Sequence, residues 1–537
     1  MLLPALGYFP ALGSYDLSLR PVQEFLAWPG LSMAICLSVG AGLLATWLSL
    51  LGAICLLLWF WDHAFGRWLL RFAGPFIAVP PTAVAAGLIL FLAPSGWLMR
   101  LISPELTGFT RPPFWALFPD PHGFGLVLAL VIKEIPFILL LCLSALARVP
   151  ASDMRRITRS LGYGRVSGFI LIVWPQIYRQ IRLPLLAVLV FAISVVELPL
   201  LLGPSLPPPL SVLVFQGFQD ADLQQRFAAS VGAVVQFALV GLSWVVWRAG
   251  ERLLKGLMRL AIWQGRRLPG LDMLIWPCGG LALMPLITGL CGLMALIVWS
   301  GAGRWPFPAD LPLYFSGHAW QQAGPLLVVM AQSMWIAFAA SVLANGLMLF
   351  WLDRHSAQNR QPQGWVLALI YLPLLVPQIS FLFGLQIGVS WAQLDGTYFA
   401  VIWVHALFIL PYSYLILAPA EAAFDRRYLN LAASFGLPAW KQRVAVKWML
   451  MLPAIGAAFL VGVAVSAALY LPTLFAGAGR ITTLTVEAVG QIQGGARAYA
   501  AVAVLLQIAL PISFYLVVGL ALRLRFRKFA AMNGGKA

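Results

Sequence analysis

Eleven stretches of this chain are apolar for 20 residues or more, and that one feature decides what it can fold into. They lie near 31–59, 72–98, 124–147, 183–203, 227–247, 273–300, 324–351, 365–391, 398–419, 454–477 and 499–522. About 20 apolar residues suffice for a helix to cross ~30 Å of hydrocarbon. Composition agrees: 61% of residues are hydrophobic and only 10% charged, with a mean hydropathy of +0.89. Soluble domains average roughly 25% charged residues, so this chain cannot wet its own surface. Disordered chains are charge-rich and poor in aromatics, and are excluded too. The expected fold is all-α, a polytopic integral membrane protein of about eleven transmembrane helices. Cys36, Cys55, Cys142, Cys278 and Cys291 all sit inside apolar runs, as small buried hydrophobes do. His63, His122, His318 and His355 are scattered through loops. No disulfide scaffold, metal site or cofactor is expected.

The 35 Lys and Arg against 18 Asp and Glu give a net charge of +17. On a soluble chain that would suggest nucleic acid; in a membrane chain, basic residues gather in the cytoplasmic loops. With the loop from Arg148 to Arg182 placed in the cytoplasm, 27 of the 35 fall on that side. Seven (Arg20, Arg100, Arg111, Arg226, Arg304, Arg480 and Arg497) fall opposite, and Lys133 lies within a span. The expectation is a multi-pass protein of the inner (plasma) membrane with a cytoplasmic C-terminus and no nucleic-acid partner. The opening "MLLPALGYFPALGSYDLSLRP" is too short and broken to span, and lacks the basic start of a signal peptide. It leaves the N-terminus outside, so a missing first span, making twelve, is expected.

The chain also repeats itself. Val-Pro and Gly in "AVPPTAVAAGL" recur in "LVPQISFLFGL" 297 residues on (Gly87 to Gly384). Gly162 pairs with Gly436 and Leu210 with Leu484, both 274 apart; Ser194 pairs with Ser466 at 272 and Gln236 with Gln507 at 271. Six spans separate equivalent points, so the copies run in the same direction, a known transporter plan. The expected division is a first half 1–248, a cytoplasmic linker 249–271 and a second half 272–537. The linker, "WRAGERLLKGLMRLAIWQGRRLPG" from Trp247, reads equally as an interfacial amphipathic helix or as a solvated tether.

Each copy has one long cytoplasmic loop: "SDMRRITRSLGYGRVSGFILIVWPQIYRQIRLP" from Ser152 and "DRRYLNLAASFGLPAWKQRVAVKWMLMLPAI" from Asp425. Both read as a short helix, a Gly stop and an amphipathic return ending at Pro, with Ser152 or Asp153 as the first N-cap. The pattern resembles the cytoplasmic EAA loop of binding-protein-dependent ABC importer permeases. In copy one Arg156 stands where that family has Glu, Ser160 and Leu161 precede Gly162, and Phe169, Ile172 and Pro175 follow at family spacing. In copy two Asn430, Leu431, Ala432, Phe435 and Gly436 fit, and Trp440 is in register. Met449 stands where Pro is expected, with Pro453 four later; the literal EAA at Glu421 to Ala423 is at the wrong spacing from Gly436. The whole chain looks most like the fused two-half permeases of the ferric-iron and thiamine importer group. The resemblance implies two type I permease halves whose loop helices seat in a cytoplasmic ABC ATPase dimer. ATP-driven closure of that dimer would rock the halves between inward- and outward-facing states. The chain has no G-x-x-x-x-G-K-[ST] phosphate loop of its own. It is therefore expected to be no enzyme, and to use a separate ATPase and an extracytoplasmic solute-binding protein that delivers a small-molecule substrate.

Ionisable groups at membrane depth cost at least ~2.5 kcal/mol on insertion scales, so they invite a functional reading. Lys133, Glu134 and Glu197 lie inside spans. They suit either an interhelical pair such as Lys133–Glu197 that locks one half, or a substrate path. On the path reading Glu134 or Glu197 would suit a cation, with Trp391, His405 and Tyr470 offering aromatic contact. Two other functions compete: a parallel-repeat secondary transporter driven by an ion gradient through Glu134 and Glu197, and a membrane enzyme. The paired Gly loops favour the permease, and no cluster of catalytic polar residues supports an enzyme.

Overall fold

A computed structural model describes residues 2–60, 79–114, 118, 120–265, 267, 269–358 and 363–530. His63, Arg67, Arg71, Ala78, Arg266, Arg360, Lys536 and the start of the second apolar run lie outside the described residues, as does the Ser152 side chain. Among the described residues nine helices are long and apolar enough to cross a membrane. Two further runs come as bent pairs, 364–375 with 378–391 meeting at 108° and 439–450 with 452–468 at 74°. Counting each pair as one span gives eleven.

The chain packs as two compact units, Met1–Gln321 with Leu375–Gly384 and Gln491–Val502, and Gln322–Leu374 with Leu385–Gly490 and Ala503–Ala537. In the first unit the long helices are α1 (Leu31–Phe60), α2 (Pro81–Leu92) and α3 (Phe124–Leu146). A loop helix α4 (Ala151–Ser160) leads to α5 (Trp174–Ser194), α6 (Glu197–Leu202), α7 (Leu210–Gln219), α8 (Gln225–Trp263) and α9 (Ile275–Ser300). Helix α1 lies along α3 and α5, and α9, the first span after the linker, lies across α1 and α2. Glycine makes that crossing close: a Cβ on Gly87 would stand 2.9 Å from the backbone of Gly292. Small residues let backbones approach where lipid supplies no hydrophobic drive between helices.

The apolar run 183–203, expected as one span, breaks at Val195 and Val196. Pro199 has no N–H to return to the Val195 carbonyl, and the Ser211 hydroxyl donates to that carbonyl instead, at 2.8 Å. The fifth span likewise does not end at 247. Its 39 helical residues extend ~58 Å at 1.5 Å per residue, well past the hydrocarbon, so the first part of the linker is helix.

The second unit has α10 (Gly324–Ala357), α11 (Gly364–Leu375), α12 (Gln378–Trp391, its first part in the first unit) and α13 (Tyr398–Ala422). A second loop helix α14 (Arg427–Ser434) is followed by α15 (Leu452–Ala468), α16 (Leu471–Gly477), α17 (Leu484–Gln493, its end from 491 in the first unit) and α18 (Arg497–Ala530, its start up to 502 in the first unit). Its core is the mutual packing of α10, α13 and α15, centred on Ala340, Ala344, Ala406 and Ile409.

The duplication survives down to single hydrogen bonds. Ser38 Oγ accepts the Leu210 N–H at the start of α7, and Ser333 Oγ accepts the Leu484 N–H at the start of α17, both at 2.8 Å. Thr485 donates to the Ala467 carbonyl as Ser211 does to that of Val195. Gln236 donates to the Ile193 carbonyl at 2.9 Å, and Gln507 to Thr485 Oγ1 at 2.8 Å. Buried in apolar surroundings, each donor has a costly alternative if left unpaired, which makes these bonds specific.

Candidate functional site

The two loops fold alike. Helix α4 stops at Gly162, whose φ of +80° is left-handed, and α14 stops at Gly436 with φ +78°. The N–H of Gly162 reaches the Arg159 carbonyl and that of Tyr163 the Thr158 carbonyl, both at 3.0 Å. In copy two Gly436 reaches Ala433 at 2.9 Å and Leu437 reaches Ala432 at 3.2 Å. These are the paired closing bonds of a Schellman stop, in one register 274 residues apart. Ser160 Oγ donates to the Ile157 carbonyl at 2.8 Å and Ser434 Oγ to the Leu431 carbonyl at 2.7 Å, again matched. Each loop then turns through a π-helical segment, Phe169–Val173 and Gln442–Lys447.

The faces match as well. Thr158 and Ala432 point inward and are buried. Ile157 with Leu161, and Leu431 with Phe435, point outward and stand 53–77% exposed. Residues four apart share a helix face, so each loop presents an apolar pair just before its glycine. Of the other residues singled out, Asn430, Trp440 and Pro175 are exposed, and the Lys441 ammonium lies 5.4 Å over the Trp440 ring. Arg156 is exposed and 3.9 Å from exposed Asp153, a pairing worth little in water.

What seats the two loops differs. In copy one the Asp272 carboxylate, just past the linker, accepts the N–H groups of Arg165 at 2.9 Å and Val166 at 2.8 Å, and the Arg165 guanidinium donates to the Leu58 carbonyl of α1. In copy two Lys447 is buried between Asp353 at 2.8 Å and Glu421 at 2.5 Å, with Arg443 at 3.0 Å from Asp353. These bonds tie the π-helical return to the ends of α10 and α13. The first unit has a separate cluster: Glu251 of α8 takes a hydrogen bond from Tyr178 at 2.6 Å and pairs with Arg182 at 3.1 Å. Sequence reasoning missed Asp272, Asp353, Glu421 and Glu251 as partners. A usable signal was present, because in a chain with 18 acids a carboxylate in a basic segment has a cation to meet.

The charged residues within the spans are buried. Lys133 donates to the Val79 carbonyl at 2.7 Å. Glu134 on α3 and Glu197 on α6 are both buried, on helices that pack together. In the second unit His405 is fully buried with both ring nitrogens engaged, Nδ1 2.8 Å from Ser466 Oγ and Nε2 3.0 Å from Thr473 Oγ1. It joins α13 to α15 and α16. Tyr470 is buried at the start of α16, whereas Trp391 is 81% exposed at the end of α12.

The chain is 28% identical over 509 residues to the inner membrane ABC transporter permease protein YnjC of Escherichia coli, covering 94% of this chain and 91% of that one. It is 26% identical over 392 residues to the thiamine transport system permease protein ThiP of E. coli, covering 71% and 68%. To ThiP of Salmonella typhimurium it is 25% identical over 390 residues, covering 70% and 67%. No protein-family model matches the chain, and no solved structure matches it significantly. Similarity running through nearly the whole length, on an all-α fold of many apolar helices, is to ABC transporter permeases, and a fused two-half permease is consistent with it. The chain is a multi-pass transport subunit of the inner membrane and not an enzyme.

Proposed function

We propose that the chain is the permease of an importer that admits a small cationic solute, a thiamine-like molecule or iron, handed over by an extracytoplasmic binding protein. Residues 1–248 and 272–537 form its two halves, joined by 249–271, and the C-terminus is cytoplasmic. Helices α4 and α14 dock into a separate ATPase dimer, with Ile157, Leu161, Leu431 and Phe435 as apolar anchors. Arg156, Ser160, Gly162, Asn430, Ala432, Gly436 and Trp440 shape the two hooks, and Pro175 opens the return helix of the first. The observation that carries this reading is the matched pair of glycine stops, each with an exposed apolar pair at the same register. An ion-driven carrier has no use for two identical hooks on one side of the membrane. The likeness to thiamine permeases supports the choice of solute, and Lys133, Glu134 and Glu197 supply charged groups for a path. Trp391, His405 and Tyr470 are its aromatic candidates.

The test compares uptake of labelled thiamine and of ferric ion in cells carrying the wild-type chain, Gly162→Glu or Gly436→Glu. Both variants are expected to reach the membrane at wild-type levels while ATP-driven uptake falls at least ~10-fold and hydrolysis by the bound ATPase continues. A side chain at φ near +80° costs about 1–2 kcal/mol, enough to displace the hook without unfolding a span. Undiminished ATP-driven uptake in both variants contradicts the coupling role. If neither solute is accumulated by the wild-type chain, the substrate assignment fails and the coupling role is then read from the ATPase alone.

A further inference from the structure

The segment joining the halves does more than connect them. Asp272, in the short 3-10 turn Pro269–Leu274, lies three residues before α9. Its carboxylate takes the two successive N–H groups that open the turn Arg165–Gly168, one on each oxygen. Approach is so close that a Cβ on Gly164 would stand 2.6 Å from Asp272 Oδ2, and one on Gly162 would stand 2.9 Å from a guanidinium nitrogen of Arg267. Both glycines of "GYG" are thus faced by side chains from the end of the linker and the first residue after it, Arg267 and Asp272. In copy two the same register is open, with nothing within 4 Å of a Cβ at Gly436. The asymmetry lies in what seats the hooks, since their glycine stops close with matched bonds.

We infer that Asp272 is a positioning residue that makes the first coupling loop and the cytoplasmic end of α9 one mechanical body. This inference rests on the permease reading and deepens it. A charged acceptor bonded to two backbone donors is stronger than a neutral one, and the short turn from 269 to 274 has no slack between that bond and α9. A push on α4 therefore moves the start of α9 directly, and α9 in turn lies across α1 and α2. The second loop is seated instead by the Asp353–Lys447–Glu421 cluster, so the two hooks deliver their displacement through different parts. Neither an interfacial helix nor a slack tether describes Pro269–Leu274.

Amide hydrogen exchange on the full chain in lipid nanodiscs tests the clasp, and the complex purified with its ATPase tests the coupling. In Asp272→Ala, exchange in 163–168 is expected to rise at least ~10-fold, the change that loss of one hydrogen bond to a charged group produces. Exchange in 437–442 is expected to stay at the wild-type rate, and Asp272→Asn, which keeps an oxygen acceptor, is expected to fall between. Adding ATP with vanadate to the wild-type complex is expected to alter exchange in both 163–168 and 270–278. In Asp272→Ala the change at 163–168 is expected to remain and that at 270–278 to disappear. Wild-type exchange at 163–168 in Asp272→Ala overturns the clasp. A persisting nucleotide response at 270–278 overturns the positioning role while leaving the permease reading intact. A wild-type chain that retains no ATPase on purification defeats that reading first, and is seen before any variant is compared.

Discussion

Lys447 shows how much a single residue can hold in this molecule. It is buried against two carboxylates, Asp353 and Glu421, at the foot of the second hook. Removing one partner from a buried ion cluster leaves the others uncompensated, at a cost of about 3–5 kcal/mol. Lys447→Met is therefore expected to lower the thermal stability of the purified chain clearly, and Lys447→Met combined with Asp353→Asn and Glu421→Gln to recover most of it. Thermal unfolding in detergent checks both; equal stability of the single variant and the wild type would show that the cluster contributes nothing. His405 behaves differently, because its partners are neutral hydroxyls. His405→Phe takes the ring nitrogen from Ser466, a loss of about 1–3 kcal/mol for an unsatisfied buried group, while Thr473 keeps its bond to the Leu469 carbonyl. Reduced stability with an unchanged KM for uptake would make it a fastener between α13, α15 and α16, whereas a raised KM at unchanged stability would put it on the substrate path. None of these pairings could be read from sequence. Gly162 and Gly436 were legible because a left-handed stop is a local matter, decided within six residues. The bond from Lys447 to Asp353 spans 94 positions, and no local rule reaches that far.

At the scale of elements, hydropathy located the spans and missed their joints. Among the described residues the apolar runs reappear as helices, but Val195 and Val196 interrupt the fourth, and the eighth turns through 108° near Val376 and Pro377. A window of apolar residues cannot register a missing N–H at Pro199 or a hydroxyl supplied by Ser211. Packing between helices is similarly silent in a single sequence. Gly87 and Gly292 meet backbone to backbone, and the 204 residues between them carry no hint of it. Enlarging either residue forces the α2–α9 crossing apart, an overpacking cost of about 1–3 kcal/mol. When 1–263 and 264–537 are expressed as separate chains, Gly292→Leu is expected to reduce their co-purification severalfold. Undiminished co-purification would mean that the crossing is not an important contact.

Across the whole molecule, the proposed function and its direction both rest on the duplication. An even number of spans between equivalent points is expected to put both hooks on one side of the membrane, and the excess of Lys and Arg expected on that side is the argument for the cytoplasm. A C-terminal tag is accordingly expected to be cleaved by protease in inverted vesicles and protected in intact spheroplasts; the reverse pattern would turn the molecule over and move both hooks outside. The fold class and the hooks were legible because membrane thickness and helix stops leave strong local marks, whereas the seating of each hook depends on residues brought from elsewhere in the chain. The central claim is that both hooks grip one ATPase, and site-directed photocrosslinking reads it most directly. With a photoreactive residue at Leu161 or at Phe435, each position is expected to yield a covalent adduct with a nucleotide-binding subunit in native membranes. Labelling of lipid alone at both positions would contradict it.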